Sequence, residues 1–593
     1  MSSKQSFVYS RVNRGVLLAL ATSAAVAFMP ASAQETPAEA PDAAPAAEIA
    51  EQVERISVSG RLLSSAAATA EERRQQPYVA ELLGIEQISR AGDSNAAAAL
   101  RRVTGLTLVK DKFIYVRGLG ERYSSTLLNG AQVPSPDPTR NVVPLDMFPA
   151  GIIESMVVQK AFSPELPAAF GGGNVNIRTV SIPREEIFNF SVGVGYNSLS
   201  SDDGLDYRGG GDDWRGKDDG TRGLSAGLQD ALNTYGSLDV VKIAQGLGGI
   251  TPANLVAAEG INRNLGLELN RDLDINNKSI GPEYDTSLSY GNRFDIGSTV
   301  FGVMAGVSYD KSSENFKEQE RYYSISSGTE LTPLNRYDDI RGTEHQVKMS
   351  GMLNFGLEFD SNHRIETSSI YLSDTKDEIK IKIGDSIETI NEALRENEDY
   401  SILYEERTML TNQIRGRHTL DFLNDLTLDW QYTDAKAERN APSEVEYRYV
   451  RQLDENGSLL NRTMRRSDNA AIYQFGQLED NTENASWNAK YPMTIGSTEY
   501  SFSTGYAYFE RQRNAGTNRF KLDTRGFSNE ELSQSFSNIF SNANISNPAK
   551  RFLLSDVTAQ ADDYVAAQQV DAAYVEKHLG ALVKDDDLSR FIL

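Results

Sequence analysis

The residues able to do chemistry are few in kind and widely spread. The four histidines, His345, His363, His418 and His578, show no helical ligand spacing of the H-x-x-x-H type, so no histidine-based zinc site is expected. Cysteine is absent, which excludes a disulfide framework, a thiolate nucleophile and thiolate-bound metal. Gly118-Leu119-Gly120 follows a strand-like run and opens like a dinucleotide-binding turn. Tyr123, however, stands where the third glycine belongs, and no crossover helix follows. Gly171-Gly172-Gly173 has the composition of an anion cradle, but a tight turn beside a wall is the preferred reading. Between 202 and 220, Asp202, Asp203, Asp206, Asp212, Asp213, Asp218 and Asp219 alternate with glycine, and such oxygen donors suit Ca²⁺. The closing Glu of an EF-hand is missing there, so a solvated loop is expected, with Trp214 as a surface on which a sugar or an aromatic ligand could stack. No catalytic residue, metal site or cofactor is expected. A secreted hydrolase drawing on the carboxylates would leave the strand rhythm below unexplained.

The elements that carry these residues fall into distinct stretches. Lys4, Arg11 and Arg14, then a short apolar run and Ala31-Ser32-Ala33, read as an export leader over 1–33. Residues 34–53 are Ala/Pro/Glu-rich, the composition of a flexible exported linker. Glu54-Arg55-Ile56-Ser57-Val58-Ser59-Gly60 alternates and suits a single added strand. From 54 to 180 the sequence is compact and mixed: 82–88, 96–103 and 142–148 predict short helices or turns, and 113–116, 155–158 and 175–177 predict short strands. This is a small α+β domain. The formal charge of −24 argues against nucleic acid as a partner, which needs a basic surface.

From 184 to 593 the period becomes two. Phe188, Phe190, Val192, Val194 and Tyr196 form one apolar face, with Asn189, Ser191 and Gly193 on the other. The same alternation recurs through Tyr290, Val307, Leu353, Tyr371, Tyr432, Trp487 and Tyr506, with Tyr196, Tyr290, Tyr309, Tyr371, Tyr432 and Tyr508 placed for an interfacial girdle. Connections alternate between short (295–297, 360–363, 421–425, 492–496) and long (311–344, 374–401, 437–482). Short periplasmic turns and long extracellular loops are the habit of an outer-membrane β-barrel, and a soluble sandwich has no reason for that rhythm.

Residues 54–180 also resemble the plug domain of TonB-dependent receptors. The match runs through Ser94-Asn95 to Leu106, then Ile114-Tyr115-Val116-Arg117-Gly118-Leu119-Gly120-Glu121-Arg122-Tyr123 and Leu127-Leu128-Asn129-Gly130. It continues through Ile152 to Lys160 and Phe170-Gly171-Gly172-Gly173-Asn174-Val175. The resemblance implies a TonB box at the start of the plug, with Glu54, Ile56, Ser57 and Val58 contacting TonB, and it implies that Arg117 and Arg122 sit among plug and wall carboxylates. It further implies energised uptake of a scarce ligand, such as a siderophore or an oligosaccharide, across the outer membrane of a Gram-negative bacterium. The expected partners are TonB with its inner-membrane energising complex, outer-membrane lipid and the ligand itself. The alternative is a receptor that senses its ligand and signals across the periplasm. About nine transmembrane strands are expected, with 565–582 helical in pattern inside a final loop. An odd, unclosed sheet exposes strand edges to lipid, so the reading frame is expected to continue beyond Leu593.

Overall fold

The computed structural model describes Glu72 and residues 80–579, apart from 111, 141, 164–165, 167–169, 199–202, 326–330, 361, 391, 393 and 496–497. The expected leader, linker and TonB box lie outside the described residues.

The small domain forms first in the chain. Strand β1 (Ala80–Gly84) leads into helix α1 (Ile85–Ala91), which stops at Gly92 with φ 72°. The expectation of a helix from 82 is thus corrected, because β1 finds its hydrogen bonds on a neighbouring strand. Helix α2 (Ala96–Leu100) starts at Asn95, whose side chain accepts from the Ala98 amide at 2.9 Å. Strands β2 (Leu106–Val109) and β3 (Phe113–Val116) pair with each other. Strands β4 (Ser124–Leu128), β5 (Ala131–Gln132), β6 (Ser155–Gln159) and β7 (Gly173–Arg178) complete a sheet of order β1-β6-β7-β4-β5. Asn129 and Gly130, at φ 50° and 90°, make the two-residue turn between β4 and β5. That is the left-handed geometry an Asn-Gly pair tolerates best. Ile88, Leu100, Ile114, Leu128, Val158 and Val175 are buried together in the core.

The rest is built on one large antiparallel sheet. Its main path runs β8 (Ile187–Gly195), β11 (Glu283–Ile296), β12 (Thr299–Ile325), β13 (Leu331–Phe359), β14 (His363–Asp385) and β15 (Arg395–Leu420). It continues through β16 (Leu426–Leu453), β18 (Ala471–Ile495) and β19 (Thr498–Leu522). Short strands β9 (Gly204–Asp206) and β10 (Asn276–Lys278) pair with each other, β17 (Leu459–Met464) with β16, and β20 (Leu554–Asp556) with β19. Two expectations are corrected. The long connections at 311–344, 374–401 and 437–482 are mostly continuations of the strands. The stretch expected to be a helical loop is strand β21 (Tyr564–Leu579), paired along β19, so a tenth long strand joins the nine.

The strand extensions looked like loops because one of their faces is charged. Lys376 pairs across strands with Glu344 at 2.6 Å, and Lys382 with Glu320 at 2.8 Å, so the polar face satisfies itself. The opposite face is covered by a helical cap from two insertions. The first holds α3 (Ala226–Tyr235), α4 (Val240–Gly246) and α5 (Pro252–Glu268). The second holds α6 (Asn529–Leu532), α7 (Phe536–Ile539) and α8 (Asn542–Ser546). Asn262, fully buried, ties them together: it donates to the Leu238 and Leu554 carbonyls at 2.8 and 2.7 Å and accepts from the Leu554 amide at 2.9 Å.

Plug domain and cap lie on opposite faces of the same sheet. On β14, Ile370 and Leu372 belong to the plug core while Ile379 and Ile381 belong to the cap core. The pairing of β14 to β15 has no register shift, so even and odd positions point to opposite faces throughout. Below the cap, the capped face is bare and apolar: Phe188, Phe190, Val192, Val194, Leu288, Val307 and Leu410 are all exposed.

Candidate functional site

The plug meets the wall through a polar seam, in which wall side chains mostly reach plug backbone. Gln431 donates to the Gly130 carbonyl (3.3 Å), Asn484 to the Gln132 carbonyl (3.0 Å) and Asn354 to the Val180 carbonyl (2.6 Å). Asp480, with no exposed surface, accepts from the Ser135 amide at 2.9 Å and from Arg511 Nε at 2.8 Å. Arg513 also reaches Asp480, and donates to the Asp137 and Arg140 carbonyls. On the other side of the plug, Asp146 lies 3.4 Å from Lys112 and 3.8 Å from Arg407, which is itself paired with buried Asp374. Above this seam the charged ladder of Glu344, Lys376, Glu378 and Lys380 lines the same face. The seam holds the plug against the wall by hydrogen bonds that water can replace and by the Asp146–Arg407 ion pair.

The glycines and arginines singled out in the plug have other work. A Cβ on Gly173 would meet Val116 at 2.4 Å, on Gly172 Leu119 at 2.6 Å, and on Gly171 Tyr123 at 2.9 Å. These glycines therefore allow β7 to approach the 116–123 segment of the plug itself, which corrects the expectation of a turn beside the wall. Arg117 (φ 51°) and Gly118 (φ 79°) make the tight turn after β3. Arg117 and Arg122 are exposed, and neither makes an ion pair to the wall among the described residues. Arg407 and Arg513 cross the seam instead, with Lys112 beside Asp146 on the plug and Arg511 beside Asp480 on the wall. Sequence reasoning missed them because their partners are remote in sequence or are backbone atoms. Gly120 packs beside the Tyr115 ring.

The acidic loop closes on a cation from its own chain. Arg222, among the largest fully buried side chains, donates to both Asp213 oxygens at 2.7 Å, to Asp377 at 3.2 Å and to the Tyr207 hydroxyl at 2.7 Å. Its guanidinium lies 4.1 Å from the Tyr404 ring. Burial pushes the Asp377 carboxyl up to about 7. Asp219, turned to solvent, is lowered to about 2 by the Thr221 hydroxyl and by the Gly211 and Thr221 amides. Among the described residues no group of three or more His, Asp or Glu is arranged to hold a metal.

Trp214 lies in this loop, 58% exposed, at the edge of a cavity of about 690 Å³. The cavity is walled by the 206–214 and 276–282 segments and by Lys311, Ser313, His345, Thr375 and Tyr404. Thr375 and Asp377 have the parity of Ile379, so the cavity opens on the capped face and not on the plug face. The structure thus does not bring Trp214 together with the plug. It does bring together two histidines the sequence left apart: His363 and His418 are cross-strand partners with Nδ1 atoms 3.2 Å apart, and Trp430 Nε1 donates to His418 Nε2 at 3.0 Å.

Comparison with known proteins bears on the plug. Residues 72–175 match the family model described as TonB-dependent Receptor Plug Domain. No curated protein matches the chain. Among solved structures, the siderophore receptor PiuA from Acinetobacter baumannii is similar at 11% identity over 85% of this chain and 62% of its own, with a TM-score of 0.36. The ferric-catecholate import receptor Fiu from E. coli K12, in its open form, is similar at 11% identity over 85% of this chain and 67% of its own, with a TM-score of 0.40. The ferric yersiniabactin uptake receptor FyuA from Yersinia pestis is similar at 10% identity over 85% and 61%, with a TM-score of 0.33. The chain thus spans less than two thirds of the length of PiuA and FyuA. Its class is that of a plug domain joined to a wall of long antiparallel strands. Residues 72–175 form a plug domain of the kind described for TonB-dependent receptors.

Proposed function

We propose that this chain works in the outer membrane of a Gram-negative bacterium as an energised uptake receptor. TonB grips residues 54–58 and pulls, the plug shifts against the wall, and a scarce ligand, siderophore, oligosaccharide or similar, passes. The observation that carries the reading is the seam: a separately cored plug held to the strands by wall side chains on plug backbone, the Asp480 carboxylate on the Ser135 amide among them, and by the Asp146–Arg407 ion pair. The bare apolar band beneath the cap supports a lipid-facing wall, since only closed strands or helices satisfy their backbone in a bilayer. No helix among the described residues is long and apolar enough to cross a membrane.

The chain has no cysteine, so a single cysteine placed at Ile56 or Val58 is its only thiol. Crosslinking of that thiol to cysteine variants of TonB in cells is the expected result, with none from a cysteine at Ser201. A proline at Ile56 or Val58 removes a strand donor and should abolish uptake with the folded receptor still at the surface. Uptake at the normal rate in both proline variants overturns the reading. Growth of a strain lacking the chain on single iron or carbon sources identifies the ligand.

A further inference from the structure

We infer that the cavity between the cap and the outer face of the wall seats the headgroup of an outer-leaflet glycolipid, a phosphorylated sugar. The inference rests on the outer-membrane reading above but needs neither plug movement nor TonB.

Position is the first argument. The cavity is on the face opposite the plug, so it looks away from the lumen. The rise from Thr299, beside the short turn, to Lys311, at roughly 3.3 Å per residue and a tilt of roughly 40°, is about 30 Å. That is about the thickness of a bilayer's hydrocarbon core, so Lys311 stands at the level of the outer headgroups. Directly below on the same face, Val307, Leu353 and Tyr371 are exposed, a surface for acyl chains. A soluble ligand has no use for that continuity, whereas an amphiphile spans it.

Chemistry is the second. The cations around the cavity are mostly neutralised: Lys278 by Asp206 at 2.7 Å, and Arg208 by Asp272 at 3.0 Å. Among the described residues Lys311 makes no ion pair, and its ammonium lies 5.8 Å from the centroid of the Tyr284 ring. An ammonium at the edge of an apolar band attracts an anion. Trp214 offers a ring face for a sugar and is fixed in place, because the Tyr309 hydroxyl donates to its carbonyl at 2.6 Å and Tyr309 stacks on Tyr284. At the far side Tyr404, 1% exposed, lines the cavity with a hydroxyl that has no hydrogen-bond partner among the described residues. Buried hydroxyls are nearly always partnered, so this one points to an absent acceptor. A volume of about 690 Å³ suits a phosphorylated disaccharide.

The test uses the full chain in dodecyl maltoside micelles doped with one lipid at a time. Lipid A, a diphosphorylated glucosamine disaccharide with acyl chains, should bind at least ~10-fold tighter than phosphatidylglycerol, and Lys311→Glu should weaken lipid A binding by ~10-fold or more. Trp214→Ala and Tyr404→Phe should weaken it by smaller factors. Should Lys311→Glu lose its sheet spectrum or its heat-shifted gel mobility, Lys311→Gln carries the same prediction with a smaller loss. Equal binding of phosphatidylglycerol and lipid A, or equal affinity of folded Lys311 variants and the native chain, overturns the proposal. So does glucosamine 1-phosphate binding as tightly as lipid A, since the source would then be soluble. Lipid binding and TonB crosslinking are read separately, so either can fail without the other.

Discussion

Arg222 shows how one side chain organises a loop that by its sequence reads as solvated. Asp213, Asp218 and Asp377 surround it, and Tyr207 accepts its Nε–H. Replacing it by Ala leaves buried carboxylates uncompensated, at a cost of about 3–5 kcal/mol. Limited proteolysis should then cut within 204–281 while the strands keep their heat-shifted gel mobility; unchanged cleavage of Arg222→Ala would sink this account. Glu531 gives a pH-dependent counterpart. Lys550 and the Ser528 amide hold its carboxyl down to about 2 from its ordinary 4.5. A depressed acid contributes stability that is present above pH 4.5 and lost as pH falls toward 2. Hydrogen exchange over 528–552 should therefore accelerate on acidification in the native chain. Glu531→Gln should start faster at neutral pH and respond less.

The strands carry the clearest periodicity, and their two faces can be tested separately. Phe188, Phe190, Val192 and Val194 are exposed on the face away from the plug, with Ser191 on the other. Arg at Val192 should impair assembly, at a cost of roughly 2–4 kcal/mol near the bilayer midplane, and Arg at Ser191 far less. Spin labels placed along β8 should alternate in accessibility to a lipid-soluble quencher; an absence of alternation removes the assignment. His363 and His418 meet through the β14–β15 register, and Trp430 reaches His418 through the β15–β16 register. No spacing within either strand reveals it, because antiparallel register joins positions that are far apart in sequence.

Across the whole molecule, the plug and the cap divide one sheet between its two faces. Asp480 is the residue through which plug displacement should be felt most, since it takes the Ser135 amide, Arg511 and Arg513 together. Asp480→Ala strands two arginines, a cost of about 3–5 kcal/mol. It should speed hydrogen exchange over 131–140 with little change in the cap, and equal protection in both proteins would show that the seam does not hold the plug there. The cap on the other face is tied through Asn262 and packs on Ile379, Ile381, Tyr400 and Ile402. Strands that look too long for a bilayer are long because they also carry this second core.

By itself the sequence determined whatever depends on local pattern. The period of two from Phe188 onward, the Asn129-Gly130 turn, the short helix after Asn95 and the plug motifs are each set by neighbouring residues, and all are found in place. Tertiary structure decided what depends on distant partners. The charged stretches at 374–401 and 437–482 read as loops until cross-strand pairing supplied Glu344 for Lys376 and the cap covered Ile379 and Ile402. Strand β21 read as helical until β19 offered it an edge. The acidic loop read as solvated until Arg222 was buried in it, and Trp214 read only as a loop residue until strand parity placed it on the capped face. In each case the deciding energy is the satisfaction of a polar group or an apolar face by residues that sequence separation conceals.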